Sequence, residues 1–203
     1  MEENKRKAHV SYNSGENEWY TPKYIIDAAR KTMGSIDLDP ASSEIANRTV
    51  QATTFYTKEI NGLIQPWFGN VWLNPPYSKE LIGKFAMAVK VKRMEYDQAL
   101  ILVNNATETR WFQSMATFAN AICYVEKRIR FLDMTGKPGS PLQGQVILYV
   151  GLHTTRFIDI FSQFGLCHEG KAKFNRLLGS HYKYIREKFF LIMPDNSCSP
   201  LKS

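Results

Sequence analysis

Long apolar runs, paired cysteines and a metal-ligand pattern are all missing from this sequence of 203 residues. No stretch of about 18 uncharged apolar residues occurs, which excludes a membrane-spanning helix. Residues 1–19 have no apolar centre, so we expect no secretory signal peptide. The cysteines (Cys123, Cys167 and Cys198) are scattered, and we interpret them as reduced thiols of a cytoplasmic protein. The four histidines are dispersed as well, so we predict no bound metal.

Acidic residues are outnumbered by basic ones. Lys and Arg number 26 against 19 Asp and Glu, which gives a formal net charge of +7. A field of this sign attracts polyanions, nucleic acids among them. Many soluble proteins carry such a charge without a bound partner, so the charge alone leaves nucleic-acid binding open.

Short apolar runs alternate with segments of helical periodicity. We predict strands at 35–40, 70–73, 99–103, 121–126 and 145–150, a short strand at 54–56, and helices at 22–33, 78–94, 109–119 and 156–165. This alternation predicts an α/β fold: a single-domain, doubly wound, mostly parallel sheet with an antiparallel edge strand. The edge prediction rests on the lack of a clear helix between the last two strands. The predicted domain spans 18–194, between a disordered polar N-terminus (1–17) and a flexible tail (195–203).

Two loops follow predicted strands at the point where ligands bind in open α/β sheets. One loop contains Asn74, Pro75, Pro76 and Tyr77 after the strand 70–73. The other contains Asp39, Pro40, Ala41 and Ser42, where the strand 35–40 closes on an acid and a proline. Either loop alone could be a plain turn, because Pro, Asn and Asp are common turn residues. Together they predict a crevice lined by both.

The chemistry that suits the loop 74–77 is methyl transfer to an exocyclic amino group. The amine of adenine is a poor nucleophile because its lone pair is delocalised into the ring. The side-chain oxygen of Asn74 and the carbonyl of Pro75 can each accept one amine hydrogen, and the prolines hold the backbone in place. Tyr77 offers a flat face for a base that has left its stack.

These residues resemble the phage-type (Dam-like) DNA N6-adenine methyltransferases. The resemblance includes "EWYTPKYII" (18–26), "IDLDPAS" (36–42), "FYTKEINGL" (55–63), "PWFGNVWLNPPYS" (66–78) and "RIRF" (128–131). It implies the methyltransferase version of the doubly wound sheet, with S-adenosyl-L-methionine as cofactor and double-stranded DNA as partner. It also implies that the enzyme methylates the N6 amine of adenine.

The resemblance also implies which residues bind the cofactor. Trp19, Thr21 and Pro22 match a segment that closes over the methionine end, and Asp39, Pro40 and Ala41 match an acidic cofactor loop. Asn61 stands where the family usually has Asp, and its oxygen can still accept from the cofactor's adenine amine. The chain departs from a glycine-rich cofactor loop, and the ribose-binding acid is left open among Asp37, Glu44 and Glu59.

Basic residues outside the motifs have two interpretations. Lys127, Arg128 and Arg130 either contact DNA phosphates or form a solvated sheet edge. The segment 171–190 is rich in basic and aromatic residues, and its charges (Lys171, Lys173 and Lys183 among them) either bind DNA or are solvated. Other targets also stay open, because RNA adenine and protein glutamine present a similar amine. A non-catalytic nucleic-acid-binding relative is the remaining alternative.

Overall fold

Hydroxyl side chains set the start of several helices in the structure. The computed structural model describes residues 19–139 and 143–170 of the chain. Ser43, Ser78 and Thr109 each accept a hydrogen bond from a backbone N–H of the first helical turn, which stabilises the helix N-terminus. The helices of the described ranges are α1 (Lys23–Met33), α2 (Glu44–Val50), α3 (Lys79–Val91), α4 (Arg110–Phe118) and α5 (Thr154–Phe161).

The strands join into one seven-stranded sheet of order β2-β1-β3-β4-β6-β5-β7. Their bounds are β1 (Leu38–Asp39), β2 (Thr54–Phe55), β3 (Asn70–Leu73), β4 (Gln98–Asn104), β5 (Ala121–Val125), β6 (Gln145–Val150) and β7 (Gly165–Glu169). The pairs β1–β2, β1–β3 and β3–β4 are parallel, whereas β6 is antiparallel to both β4 and β5. The α/β prediction with a mostly parallel sheet is confirmed.

The prediction of an edge hairpin made by the last two strands was wrong in its placement. β5 and β6 do pair antiparallel, but β6 lies inside the sheet, and all six of its residues are buried. The edge belongs to β7, a strand that was not predicted; only its first residue, Gly165, fell within a predicted element, as the end of the helix 156–165. Gly165 opens β7, and a Cβ on it would lie 2.0 Å from the Tyr124 carbonyl oxygen. This glycine therefore permits close strand pairing and does not end α5.

Helices cover both faces of the sheet. On one face, Phe85 of α3 and Phe112 of α4 pack in a cluster with Leu73 and Ile101. On the other face, α1, α2 and α5 contribute to a second buried cluster, which includes Trp72 of β3 and Tyr149 of β6. The doubly wound arrangement thus follows from strands that are apolar on both sides. No helix of the described ranges is long and apolar enough to cross a bilayer.

The predicted segments 1–17, 171–190 and 195–203 lie outside the described residues. The predicted domain bounds, 18 and 194, also lie outside them.

Candidate active site

The order in which the chain adds strands across the sheet reverses at β1. From β1 the chain moves outward to β2, while β3 lies on the other side of β1 and leads on to β4. Because β1 and β3 are parallel neighbours, the loops after Asp39 and Leu73 leave the same edge of the sheet side by side. Such a reversal point is where open α/β sheets bind their ligands. The structure brings the two predicted loops together there.

A cavity lies at the opposite edge of the sheet. It has a volume of about 330 Å³ and is lined by residues that include Arg93, Gln98 and His153. The Gln98 side chain is held by structural hydrogen bonds, because it donates to Met33 O and Asn70 Oδ1 and accepts from the Tyr149 hydroxyl at 2.7 Å. None of the predicted site residues lines this cavity, so the carboxyl edge remains the candidate site.

The Asn74 side chain is held by two hydroxyl groups. Its Nδ2 donates to Thr21 Oγ1 at 3.2 Å, and its Oδ1 accepts from the Tyr77 hydroxyl at 2.7 Å. Pro75 is buried, whereas Pro76 and Tyr77 are exposed. The carboxamide is therefore fixed at the carboxyl end of β3, and its oxygen keeps one lone pair for a further donor.

The Tyr77 side chain has a buried end and an exposed ring. Although 38% of the residue is exposed, its hydroxyl lies 3.3 Å from the Leu102 carbonyl oxygen, and burial raises the pKa of this hydroxyl. The hydroxyl therefore stays protonated at neutral pH and can donate to Asn74. The sequence pattern indicated a role for the ring alone and missed the hydroxyl, because its partners are fixed only by the fold.

Asp39 is a buried carboxyl group. It is 2% exposed, and desolvation raises its pKa from 3.8 to about 7. The Ala41 N–H, which donates to Oδ1 at 3.2 Å, and the nearby Ser42 hydroxyl offset only part of this rise. None of the ion pairs in the described ranges includes Asp39. A ligand that donates hydrogen bonds or carries positive charge would favour its ionised form.

The loops at 39–42 and 61–63 are in contact. A Cβ on Gly62 would lie 2.0 Å from the Pro40 carbonyl oxygen, so only glycine allows this approach. Asn61 has a φ of +57°, and its Oδ1 accepts from Leu63 N at 3.3 Å. This bond and the left-handed backbone give Asn a structural reason to occur there. Its NH2 and one lone pair of its oxygen still face no described partner.

These loops have free polar atoms that suit a polar cofactor. The Ser42 Oγ is buried and makes no hydrogen bond of normal geometry in the described part of the chain. It lies in the loop that contains Asp39 and contacts Gly62. A buried hydroxyl without a hydrogen bond of normal geometry and a buried acid whose pKa is raised to about 7 are both costly without a ligand, and both are compatible with one that has hydroxyl and ammonium donors.

The N-terminal segment lies beside the loop 74–77. Tyr20 exchanges two backbone hydrogen bonds of 2.8 Å with Leu132, and the Trp19 ring packs on Gly139. Helix α1 begins at Lys23 with Pro22 at its N-cap, one residue later than the predicted start at 22, and no side chain caps it. The Thr21 hydroxyl binds Asn74 instead of the helix terminus.

The basic residues after β5 lie at the same edge of the sheet. Lys127, Arg128 and Arg130 are exposed, and they flank the buried Ile129. The Ile129 N–H donates to Gln145 Oε1 at 3.2 Å, which fixes this segment to the start of β6. No role was predicted for Gln145, although a polar side chain that opens an apolar strand indicates a specific contact. The other predicted DNA-binding residues, Lys171, Lys173 and Lys183, lie outside the described ranges.

The thiols of Cys123 and Cys167 are free, and these residues face each other across β5 and β7. In the ranges 19–139 and 143–170, no group of His, Cys, Asp and Glu side chains could hold a metal ion.

Comparison with known proteins gives three matches, one to a family model and two to phage proteins. A family model described as DNA N-6-adenine-methyltransferase (Dam) matches residues 9–158. The chain is 34% identical over 112 residues to the DNA N-6-adenine-methyltransferase of Escherichia phage T1, which covers 53% of this chain and 44% of that protein. It is 29% identical over 124 residues to the protein of the same name from Haemophilus phage HP1, covering 59% of this chain and 69% of that protein. No solved structure matches the chain significantly.

The chain thus spans less than half of the phage T1 relative that it matches. The family match covers most of the chain, including both loops of the candidate site. The expected resemblance is confirmed: this chain belongs to the DNA N-6-adenine-methyltransferase (Dam) family.

Proposed function

We propose that this chain transfers a methyl group from S-adenosyl-L-methionine to the N6 amine of adenine in DNA. One observation carries the proposal: the Asn74 carboxamide is held by Thr21 and Tyr77 at the reversal point of the sheet, beside the buried Asp39 loop. Family membership supports the same reaction, and the names of the phage relatives agree with it. Because it would act on DNA, the chain would work in the cytoplasm of a bacterial or phage-infected host cell.

The loop 74–77 would bind and orient the amine. Asn74 Oδ1 and the Pro75 carbonyl each accept one amine hydrogen, which favours a pyramidal nitrogen with its lone pair aimed away from the loop. Asn74 is neutral and does not act as a base, so the proton leaves the nitrogen for solvent after the methyl group has arrived. The exposed Tyr77 ring provides a surface on which the flipped adenine stacks.

The cofactor would lie against the two loops that contact each other. When bound, S-adenosyl-L-methionine supplies an electrophilic methyl group on a sulfonium sulfur. Asp39 would accept hydrogen bonds from its polar groups, and the Ser42 hydroxyl would accept or donate one. Asn61 would contact its adenine amine. Pro40, Ala41, Trp19 and Pro22 would contribute the walls of this site.

The proposed activity can be tested directly with radiolabelled cofactor. We expect label in duplex DNA that contains adenine, and none in a matched duplex in which every adenine is already N6-methylated. Equal amounts of RNA and a glutamine-containing protein are the comparison substrates. Labelling of RNA or protein alone would replace the proposed substrate, and a chain that binds DNA but no cofactor in calorimetry would be a non-catalytic relative.

The Tyr77 side chain gives a prediction with two substitutions. We expect Tyr77→Ala to lower methyl transfer more than Tyr77→Phe, because Ala removes the stacking face, worth about 1–3 kcal/mol per base. Tyr77→Phe keeps the ring but loses the hydrogen bond to Asn74, which predicts a loss of about tenfold or less. Single-turnover rates on the same duplex measure both. Equal losses in the two variants would argue against stacking.

The basic segment outside the described ranges gives a separate prediction. Lys171, Lys173, Lys183 and Lys188 changed together to Gln should weaken binding to all DNA sequences alike. Each lost phosphate contact should make the slope of log affinity against log salt shallower by about 0.9. Cofactor affinity should stay the same, and it serves as the control for folding. An unaltered slope in the folded variant would show that these charges are solvated and bind no phosphate.

A further inference from the structure

Thr21 makes a contact that its position in the sequence does not explain. It precedes Pro22 and helix α1, where Thr commonly caps the helix, yet the start of α1 has no side-chain cap. The residue is 5% exposed, and its hydroxyl receives the Asn74 Nδ2–H at 3.2 Å. The Thr21 hydroxyl therefore does not cap helix α1 but binds a residue 53 positions away in the sequence.

We propose that Thr21 is a positioning residue that orients the Asn74 carboxamide for the amine of the substrate. This inference rests on the proposed methyl transfer. The resemblance to the family placed Thr21 beside the cofactor, whereas the structure connects its hydroxyl to the residue that receives the amine.

The orientation of a carboxamide decides its chemistry. Rotation of the Asn74 amide by a half turn replaces an acceptor with a donor of nearly the same shape. A donor facing the amine would repel its hydrogens. With Tyr77 donating to Oδ1, the NH2 group faces Thr21, so the two hydroxyls hold both ends of the amide.

Tyr77 alone cannot hold this orientation. Its hydroxyl is 3.3 Å from the Leu102 carbonyl oxygen, which can take the proton in place of Asn74. A reversed amide could then donate to the Tyr77 oxygen at no loss of hydrogen bonds on that side. Without the Thr21 hydroxyl, the amide would be held at one end only, and both its plane and its orientation would be free to change about that single contact.

Thr21 is itself held rigidly. Tyr20, its neighbour, exchanges two backbone hydrogen bonds of 2.8 Å with Leu132. On the other side, Ile25 and Ile26 anchor helix α1 in the core with 0% and 1% exposure. A hydroxyl fixed between two anchored segments can define the position of the amide it binds.

The experiment compares Thr21→Val, which keeps the shape and removes the hydroxyl, with Thr21→Ser, which keeps the hydroxyl. We expect Thr21→Val to lower the single-turnover rate at saturating cofactor and DNA by roughly tenfold, the cost of one lost hydrogen bond. Cofactor affinity should change less than about twofold, and Thr21→Ser should recover most of the rate. Thr32→Val is the matched control, because Thr32 is a fully buried threonine of α1 whose hydroxyl donates to Ala28 O at 2.9 Å.

A double-mutant cycle with Asn74→Ala tests whether Thr21 acts through Asn74. In the Asn74→Ala background, Thr21→Val should cause no further loss of rate. A full additional loss, or a loss of cofactor affinity that accounts for the slower rate, would overturn the inference. So would equal rate losses in Thr21→Val and Thr32→Val.

A measurement without turnover separates this inference from the proposed function. In ¹⁵N-labelled protein, hydrogen exchange of the Asn74 side-chain amide should be faster in Thr21→Val than in wild type, by roughly tenfold, and slow again in Thr21→Ser. Unchanged exchange in Thr21→Val would overturn the inference even if the enzyme methylates DNA. A wild-type protein that methylates no substrate would overturn the proposed function, while the exchange data would still report on the contact.

Discussion

Asn74→Ala is expected to lower the rate of methyl transfer about 10²–10³-fold, the usual effect of removing one preorganised polar contact at a reacting centre. The substitution removes the oxygen that would accept from the amine, and it also leaves the Thr21 and Tyr77 hydroxyls without their shared partner. Cofactor affinity should remain, because the cofactor loops contain Asp39 and Asn61 and not Asn74. Rates at saturating cofactor and DNA, together with calorimetry of the cofactor, measure the two effects separately.

Asn70→Ala is the matched control for this result. Asn70 lies at the other end of the same strand, where its Nδ2 donates to Met33 O and Ser35 Oγ and its Oδ1 accepts from Gln98. Its removal should lower the melting temperature more than Asn74→Ala does, while the folded enzyme keeps most of its rate. Near-normal turnover of Asn74→Ala would contradict the assignment of Asn74.

Cofactor affinity is expected to rise about 10²-fold between pH 5 and pH 7 and to level off above pH 7. Burial raises the pKa of Asp39 to about 7, so the carboxyl is protonated without ligand over most of this range. If the cofactor binds the ionised form, each pH unit below the pKa costs about tenfold in affinity. The cofactor's α-amino group stays charged over this window, because even the less basic α-amino group of a peptide terminus titrates only near 7.7–8.0. Calorimetry at a series of pH values gives the profile.

Asp39→Asn is the control for the pH profile. This variant should bind the cofactor more weakly at pH 8 and show no rise in affinity between pH 5 and pH 7. In the absence of cofactor, the contribution of Asp39 to the stability of the wild type should change with pH in the direction opposite to cofactor affinity, falling as pH rises. The folded state of the wild type binds a proton more tightly than the unfolded chain, so Asp39 contributes stability below about pH 4, and this contribution is lost as pH rises towards 7. A flat affinity profile in the wild type would contradict a carboxylate ligand at this position.

The sequence predicted the position of the candidate site because local signals were strong there. An apolar run ending in two prolines cannot continue as a strand, so the loop 74–77 had to follow β3. The motif at 39–42 similarly followed a short strand that ended on an acid and a proline. Parallel strands then require both loops to leave one edge, and the structure shows this arrangement.

What the sequence could not predict depends on contacts between distant residues. The place of β6 inside the sheet is fixed by pairing with β4 over Ala99–Asn104, which no local pattern reveals. The raised pKa of Asp39 results from burial, and the same sequence in an exposed turn would titrate normally. Thr21 obeyed the local rule for a helix cap in the sequence, and a tertiary hydrogen bond prevailed over that rule.

The reversed strand β6 has a consequence for which parts of the sequence can vary during evolution. Since β5 ends and β6 begins at the edge that holds Asn74, the whole connection from 126 to 144 starts and finishes on that side. Its two ends are fastened near the sheet, by Ile129 to Gln145 and by Asn105 to Gly144. Residues after Leu132 can therefore be exchanged without altering any strand register, provided that Leu132 keeps its two backbone hydrogen bonds to Tyr20. The fold separates a part that must stay constant for chemistry from a part whose sequence is free to vary.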